Sequence, residues 1–150
     1  MRLERLKLTN FRNYSDLEIT LHPNINIFIG DNGQGKTNIL ESVYMLSLSK
    51  SNRAGVEDNL IKYNEEIAKI EGFVSGNEFL KKQEIHLTKN KKQLIINGKE
   101  IRRTADYVSN FCVISFTPDD LEIIKGSPNI RRNTINIDIS QLDNKYIGCL

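Results

Sequence analysis

The chain has 150 residues, which suits one domain of ordinary size with a core that needs no disulfide or metal staple. Its 21 Lys and Arg against 19 Asp and Glu leave a net charge of +2, so overall charge neither requires nor excludes a nucleic-acid partner, and 39% hydrophobic with 27% charged residues excludes a disordered chain. No apolar run approaches the ~18 residues that cross a bilayer, charges interrupt Met1 to Lys7 where a secretory signal would be apolar, and Cys112 and Cys149 form neither a disulfide framework nor a CxxC metal site; the expectation is a protein of the reducing cytoplasm with no membrane partner.

No repeat, low-complexity tract or Pro/Gly/Ser linker divides the chain, so one unit without an internal boundary is expected over 1–150. Residues 2–9 read as a strand, Asn10 to Tyr14 as a turn, and Leu17, Ile19 and Leu21 as a second alternating strand. After a turn at His22-Pro23-Asn24, Ile25 to Ile29 reads as a short strand that stops at Gly30. Ile39, Leu40, Val43, Tyr44 and Leu46 are spaced for a helix from Lys36 to about Leu48, and 52–64 is polar and irregular. Strands are expected at 67–74, 83–88, 93–96 and 99–102, the last pair joined by Asn97-Gly98, a strong hairpin signal. A short helix near 104–109, an apolar strand from Phe111 to Phe116, and two helix starts at Thr117-Pro118 and Ser127-Pro128 complete the reading. Ile135 to Ile139 alternate as a strand would. The fold class is α/β with mixed strands.

Gly30-Asp31-Asn32-Gly33-Gln34-Gly35-Lys36-Thr37 fits G-x-x-x-x-G-K-[ST] without mismatch. Gly30, Gly33 and Gly35 permit positive φ and remove Cβ atoms, so that backbone N–H groups can converge on a phosphate. The helix opening at Lys36 adds its unpaired N–H groups and positive dipole end. Lys36 would bridge phosphate oxygens, and the Thr37 hydroxyl would ligate Mg²⁺. The context sharpens the motif, because an expected strand ends at its first glycine and an expected helix begins at its lysine.

The flanks narrow the family. Leu6-Lys7-Leu8-Thr9-Asn10-Phe11-Arg12-Asn13-Tyr14, followed by Ile27 to Ser42, resembles the start of a chromosome-maintenance (SMC) or Rad50-type ATPase head, an ABC-type P-loop NTPase. Within that group the chain is most similar to the RecF family of bacterial recombination mediators. The closer marks are Asn-Phe-Arg-Asn-Tyr, Gly-Gln-Gly-Lys-Thr-Asn, Ser49-Lys50-Ser51-Asn52-Arg53, Ile96-Asn97-Gly98-Lys99, Ser115 to Leu121, and Lys125-Gly126-Ser127-Pro128 leading to Arg131-Arg132. The resemblance covers nearly the whole chain. It implies that Gly30, Asp31, Asn32, Gly33, Gln34, Gly35, Lys36, Thr37 and Asn38 hold ATP, with Thr37 on Mg, and that Arg12 reaches the phosphates; a solvent-facing loop arginine is the plain alternative.

The family's loop glutamine, which contacts Mg²⁺ and the attacking water, is replaced here by Thr117-Pro118-Asp119-Asp120. Asp119 or Asp120 could substitute, or could simply complement a helix N-terminus. Thr134 and Asn136 stand where the family shows an aromatic and an Asp, and the 135–139 alternation reads as strand where the family has helix. No strand ends directly in a carboxylate pair, as a Walker B motif requires, and no Leu-Ser-Gly-Gly-type signature occurs; Val74-Ser75-Gly76-Asn77 reads as a turn. The resemblance implies that both elements lie elsewhere in a longer protein, so the chain is expected to be the N-terminal lobe of a head. That lobe is an antiparallel β-rich part of a mixed sheet, poorly equipped to hydrolyse ATP by itself.

The function so implied is an ATP-dependent clamp on single-stranded or gapped DNA in replication-fork repair and the SOS response. Other recombination mediators and a nucleotide-dependent homodimer of heads are its implied partners, and weak ATPase activity is confined to the full-length dimer. A self-contained P-loop kinase or nucleotide hydrolase is the competing expectation. Residues 81–103 carry eight Lys and Arg against Glu84 and Glu100. Lys89, Lys91 and Lys92 there could neutralise DNA phosphates, or serve only as a solvated hairpin that discourages edge pairing. His22 and His86 have no triad or metal partners in sequence and read as structural.

Overall fold

The structure, a computed structural model, describes residues 1–53, 57–76, 79–108, 110–143 and 146. Cys149, Asn77 and Ser109 lie outside the described residues. Six strands form one sheet in the order β2-β1-β3-β4-β5-β6: β1 (Arg2–Phe11), β2 (Tyr14–Thr20), β3 (Ile67–Ser75), β4 (Leu80–Thr88), β5 (Lys91–Ile96) and β6 (Lys99–Ile101). Every pairing among them is antiparallel. The antiparallel lobe expected from the sequence therefore forms, and the parallel strands of a mixed sheet are not among the pairings of the described residues.

The period-two pattern sets which face is buried. Leu6 and Leu8 of β1, Ala68, Ile70 and Val74 of β3, Ile85 and Leu87 of β4, and Leu94 of β5 all face one core. Their neighbours Arg5, Lys7, Glu71, Lys82, Glu84 and His86 form a charged outer face, where Lys82 pairs with Glu71 at 2.6 Å and Glu84 at 3.0 Å. Arg5 lies over the Phe73 ring at 3.9 Å, and His86 sits 3.5 Å from Glu84. The Asn97-Gly98 hairpin forms as read, with φ of 49° and 77° at its two turn residues.

Helix α1 (Lys36–Leu48) crosses the core face, burying Ile39, Met45 and Leu46 against the sheet. Its close approach to β3 requires Gly72, because a Cβ there would stand 2.6 Å from Leu46 Cδ1. Ser49 ends the helix in the left-handed region (φ 58°), its N–H bonded to the Met45 carbonyl at 2.7 Å. Helix α2 (Thr104–Val108) brings Tyr107 into the core, where burial pushes its hydroxyl far above the ordinary tyrosine range.

Three expectations are corrected. Residues 25–29 pair with no strand, and Ile25, Ile27 and Ile29 are 73%, 76% and 90% exposed. The 111–116 run is likewise unpaired, with Ile114 and Phe116 exposed. Both have strand-like composition, but a strand persists only against a partner, and both sides of β1 are already taken by β2 and β3. Thirdly, 135–139 lies inside α4 (Pro128–Leu142), which follows a 3₁₀ turn (Pro118–Leu121) and α3 (Glu122–Lys125). The Ser127-Pro128 start signal prevails there over the isoleucine alternation, since no neighbouring strand is present to reward the period of two.

Helix α4 is tied to α1 directly, where Ser47 donates to Gln141 Oε1 at 2.8 Å, and through the 111–113 segment. Gln141 accepts from the Val113 N–H at 2.7 Å and donates to the Val113 carbonyl at 3.1 Å, while Ser47 of α1 donates to the Phe111 carbonyl at 2.6 Å. Gly72→Ala is expected to lower stability by about 1–3 kcal/mol, the usual effect of overpacking a filled core. Urea denaturation checks this, and an unchanged midpoint would contradict the close α1–β3 approach.

Candidate nucleotide-binding site

The glycine loop runs from Gly30 into α1, and its shape follows from its own side chains. Gly33 and Gly35 take positive φ, 84° and 104°, where a Cβ would be strained. Gly30 does not, and of the two properties expected of these glycines it uses only the missing Cβ. Its reason is proximity: Gln34 folds back over it, so that a Cβ at Gly30 would stand 2.5 Å from Gln34 Oε1. Gln34 Oε1 accepts from the Asp31 N–H at 3.2 Å, and its amide donates to the Asp31 carboxylate at 3.3 Å, closing the loop tip. Lys36 Nζ reaches back to the carbonyls of Gly30 and Asp31, both at 2.7 Å, which holds the ammonium against the loop.

The loop is seated on the β1–β2 turn. Asn13 donates to the Gln34 carbonyl at 3.0 Å and accepts from Asn38 at 2.8 Å, joining the loop and the first turn of α1. Gly35 packs so closely on this turn that a Cβ would meet Asn13 at 2.7 Å and the Tyr14 hydroxyl at 2.8 Å.

The arrangement fits an anion. Gly35 is the N-cap of α1 and no side chain caps the helix; the Asn38 N–H bonds the Gly35 carbonyl at 2.8 Å, which leaves the N–H groups of Lys36 and Thr37 for an incoming negative charge. Thr37 is exposed beside them, an oxygen ligand of the kind Mg²⁺ prefers. A nucleotide's phosphates and their Mg²⁺ therefore suit the residues present.

An open cleft of about 910 Å³ lies beside the loop's seat, lined by Asn13 of the turn and Asn38 of α1 but by none of Gly30 to Thr37. Arg12, Arg53, Asn59, Tyr63 and Lys89 line it further. This is a volume in the range of small-molecule sites.

Arg12 opens on this cleft but is not a free loop arginine. Its backbone takes φ 55° in the two-residue turn, its N–H bonds the Leu60 carbonyl at 2.8 Å, and its guanidinium grips Glu41 of α1 side-on. The two contacts are Nη2 to Oε1 at 2.7 Å and Nε to Oε2 at 3.0 Å, while Nη1 donates to the Asn59 carbonyl at 2.9 Å. The Glu41 side chain has no exposed surface, whereas that of Arg12 keeps 21%. Removing one member of such a buried pair typically costs about 3–5 kcal/mol.

Sequence reading passed over Glu41, Asn13 and Asn59. Glu41 gave no signal, since on the helix it lies opposite the apolar set Ile39, Leu40, Val43, Tyr44 and Leu46, where a carboxylate ordinarily faces solvent. Asn59 acts through its backbone and had none.

The remaining candidates scatter. Asp120 accepts from both the backbone N–H and the hydroxyl of Thr117, so it caps the 3₁₀ turn, the plainer of its two expected roles. It faces a separate small cavity of about 100 Å³ with Tyr44 and Asp138, not the cleft. Burial first, then the charges of Asp120 and Asp138, push the Tyr44 hydroxyl upward. The side chain of Asp119 lies outside the description.

The three lysines of the basic hairpin have different surroundings. Lys89 lines the cleft, Lys91 sits 3.5 Å from Glu100, and Lys92 donates to the Ser49 carbonyl at 2.9 Å, at the negative end of α1. His22 organises its turn with Asn24 and Asn26, as a structural histidine would. Among the described residues no cluster of His, Cys, Asp and Glu could hold a metal ion by itself, and no helix is long and apolar enough to cross a membrane.

Comparison with known proteins agrees with this geometry. The family model described as AAA ATPase domain matches residues 1–144. The DNA replication and repair protein RecF of Staphylococcus haemolyticus (strain JCSC1435) is 43% identical over all 150 residues, and the chain spans 40% of that relative's length. Among solved structures, that of the recombination mediator protein RecF-ATPrS in the RecFOR pathway superposes with a TM-score of 0.91 at 32% identity, covering 97% of this chain and 40% of the other. The SMC head domain from Thermotoga maritima shares the fold, with a TM-score of 0.60 at 22% identity over 75% of this chain and 43% of that one. The ATPase-head resemblance read from the sequence is thereby upheld.

Two glycines separate conformational from contact effects. Gly35→Ala meets both strain and the Asn13–Tyr14 wall and is expected to abolish nucleotide binding. Gly33→Ala faces open space and should lose only the ~1–2 kcal/mol of left-handed strain. Thermal unfolding with titration of a fluorescent ATP analogue checks this, and equal losses for the two variants would contradict the seating described.

Proposed function

The chain belongs to the AAA ATPase domain family, and on that premise we propose that it is the ATP-binding N-terminal lobe of a RecF-like protein of DNA replication, recombination and repair. The observation that carries this reading is the glycine loop seated on the β1–β2 turn, with Lys36 drawn into it and the uncapped start of α1 behind it. The curated relatives are longer, the chain spanning 40% of their length, so the activity of a whole protein is part of the proposal.

Gly30 to Asn38 would cradle the ATP phosphates, with Lys36 on the phosphate oxygens and Thr37 as the protein's ligand to Mg²⁺. Bound Mg-ATP would supply an electrophilic terminal phosphate and the charge that draws two heads together. The chain's own residues would orient the phosphates through backbone N–H groups and neutralise them with Lys36 and Arg12. This half-site would bind nucleotide and leave hydrolysis to groups outside the chain, so that ATP-dependent pairing of heads works as a clamp on single-stranded or gapped DNA. Recombination mediators are its partners in this reading, in replication-fork repair and the SOS response, and the cytoplasm is its location. The self-contained kinase or hydrolase gains no support from a chain that resembles RecF along its full length.

Lys36→Ala is expected to reduce Mg-ATP affinity at least tenfold, and the isolated chain should turn ATP over negligibly. Isothermal titration and a phosphate-release assay check both, and robust hydrolysis by the chain alone that Lys36→Ala abolishes would overturn the half-site reading.

For DNA, Lys89→Glu with Lys91→Glu leaves the α1-capping Lys92 in place. It should weaken binding by the full-length protein and reduce the steepness of its salt dependence by about one to two unit charges. An unchanged affinity and slope would remove the hairpin from the DNA surface.

A further inference from the structure

We propose that Glu41, a residue of α1 that itself touches no ligand, is the positioning residue that sets both arginines of the cleft, Arg12 directly and Arg53 through Ser51, for the anionic groups of a nucleotide. This rests on the reading of the loop and cleft as a nucleotide site.

The carboxylate is fully enclosed, and three elements meet on it. Oε2 accepts from Arg12 Nε at 3.0 Å, and Oε1 accepts from Arg12 Nη2 at 2.7 Å and from the Ser51 hydroxyl at 2.5 Å. A guanidinium held along its Nε–Nη2 edge by both oxygens of one carboxylate is fixed in plane as well as in place, which a single-point contact would not achieve. With Nη1 also donating to Asn59, three of the five N–H donors of Arg12 are committed, leaving up to two for a ligand in the cleft that Arg12 lines.

Ser51 extends the arrangement to a second arginine. Its hydroxyl oxygen accepts from the backbone N–H of Arg53 at 3.0 Å while the hydroxyl donates to Glu41. The chain is thereby fixed where the Arg53 side chain enters the cleft wall. The Arg12 side chain and the backbone that carries Arg53 are thus referenced to α1, the helix whose N-terminus forms the phosphate cradle. The Arg12 guanidinium, the Arg53 backbone and the glycine loop then share one frame.

Glu41→Gln keeps the shape and removes the charge. In Mg-ATP titrations of the full-length protein it is expected to weaken binding about tenfold. In an Arg12→Ala/Arg53→Ala background the same change should alter affinity less than twofold, because its effect runs through those two side chains. Thermal unfolding of the nucleotide-free variants records the structural loss from breaking the buried pair, and affinities are compared only among variants that are folded at the titration temperature. Ser51→Ala should give a smaller loss of affinity that disappears when Arg53 is already alanine, and it carries the test if Glu41→Gln does not fold. Wild-type affinity in both Glu41→Gln and Ser51→Ala, or an undiminished loss in the arginine-free background, overturns the inference provided Lys36→Ala has lost binding. If Lys36→Ala binds Mg-ATP as the wild type does, the nucleotide reading fails and the inference with it.

Discussion

A carboxylate buried between a helix and a sheet must be answered by a cation, and in this molecule that requirement connects nearly everything around the loop. Glu41 lies on the covered face of α1 with no surface of its own, and Arg12 meets it from the β1–β2 turn. For the guanidinium to arrive there, the turn must be tight enough for Arg12 to adopt positive φ, and the neighbouring segment must supply Leu60 and Asn59 as backbone acceptors. Once Arg12 is placed, Asn13 beside it falls against the Gln34 carbonyl and the glycine loop acquires its seat. The pair is costly to bury and more costly to break, so it stabilises less than it specifies: it selects one way of docking the turn, the loop and the helix.

The glycine loop shows why three glycines at these spacings serve different physical ends. At Gly33 the backbone needs the left-handed region. Gly35 needs it too, and also lacks space against Asn13 and Tyr14. At Gly30 the backbone is ordinary and the constraint is the Gln34 side chain folded over it. A helix start without a side-chain cap would ordinarily be a defect, and here it lies behind a lysine and an exposed threonine, where an anion would make good the missing acceptor.

Legibility followed the range of the interaction. Helix α1 was readable to the residue because its period and its glycine boundary are local, and the Asn97-Gly98 hairpin because two positive φ values are a property of those two residues. The loop residues of the site were readable for the same reason. Glu41 was not, because it lies opposite the apolar set that the helical period picks out, and its partner lies 29 residues away along the chain, so that only folding brings the two together. Lys92 reads in the sequence only as part of a cationic run, and its place at the C-terminus of α1 is not legible there, since charge along a sequence says nothing of which helix end a strand will pass.

What the sequence determined by itself is therefore the phosphate cradle, the helix behind it, and the alternation that gives the sheet one apolar and one charged face. Each is encoded in a few adjacent residues through φ/ψ limits or through side-chain period. Tertiary structure alone decided whether 25–29 and 111–116, strand-like in composition, would join the sheet, and that the alternating isoleucines of 135–139 would be wound into α4. It also decided that Arg12 and Arg53 would be referenced to one buried carboxylate. A strand needs a neighbour and a buried charge needs a counterion, and the identity of either is settled only when distant segments have found their places.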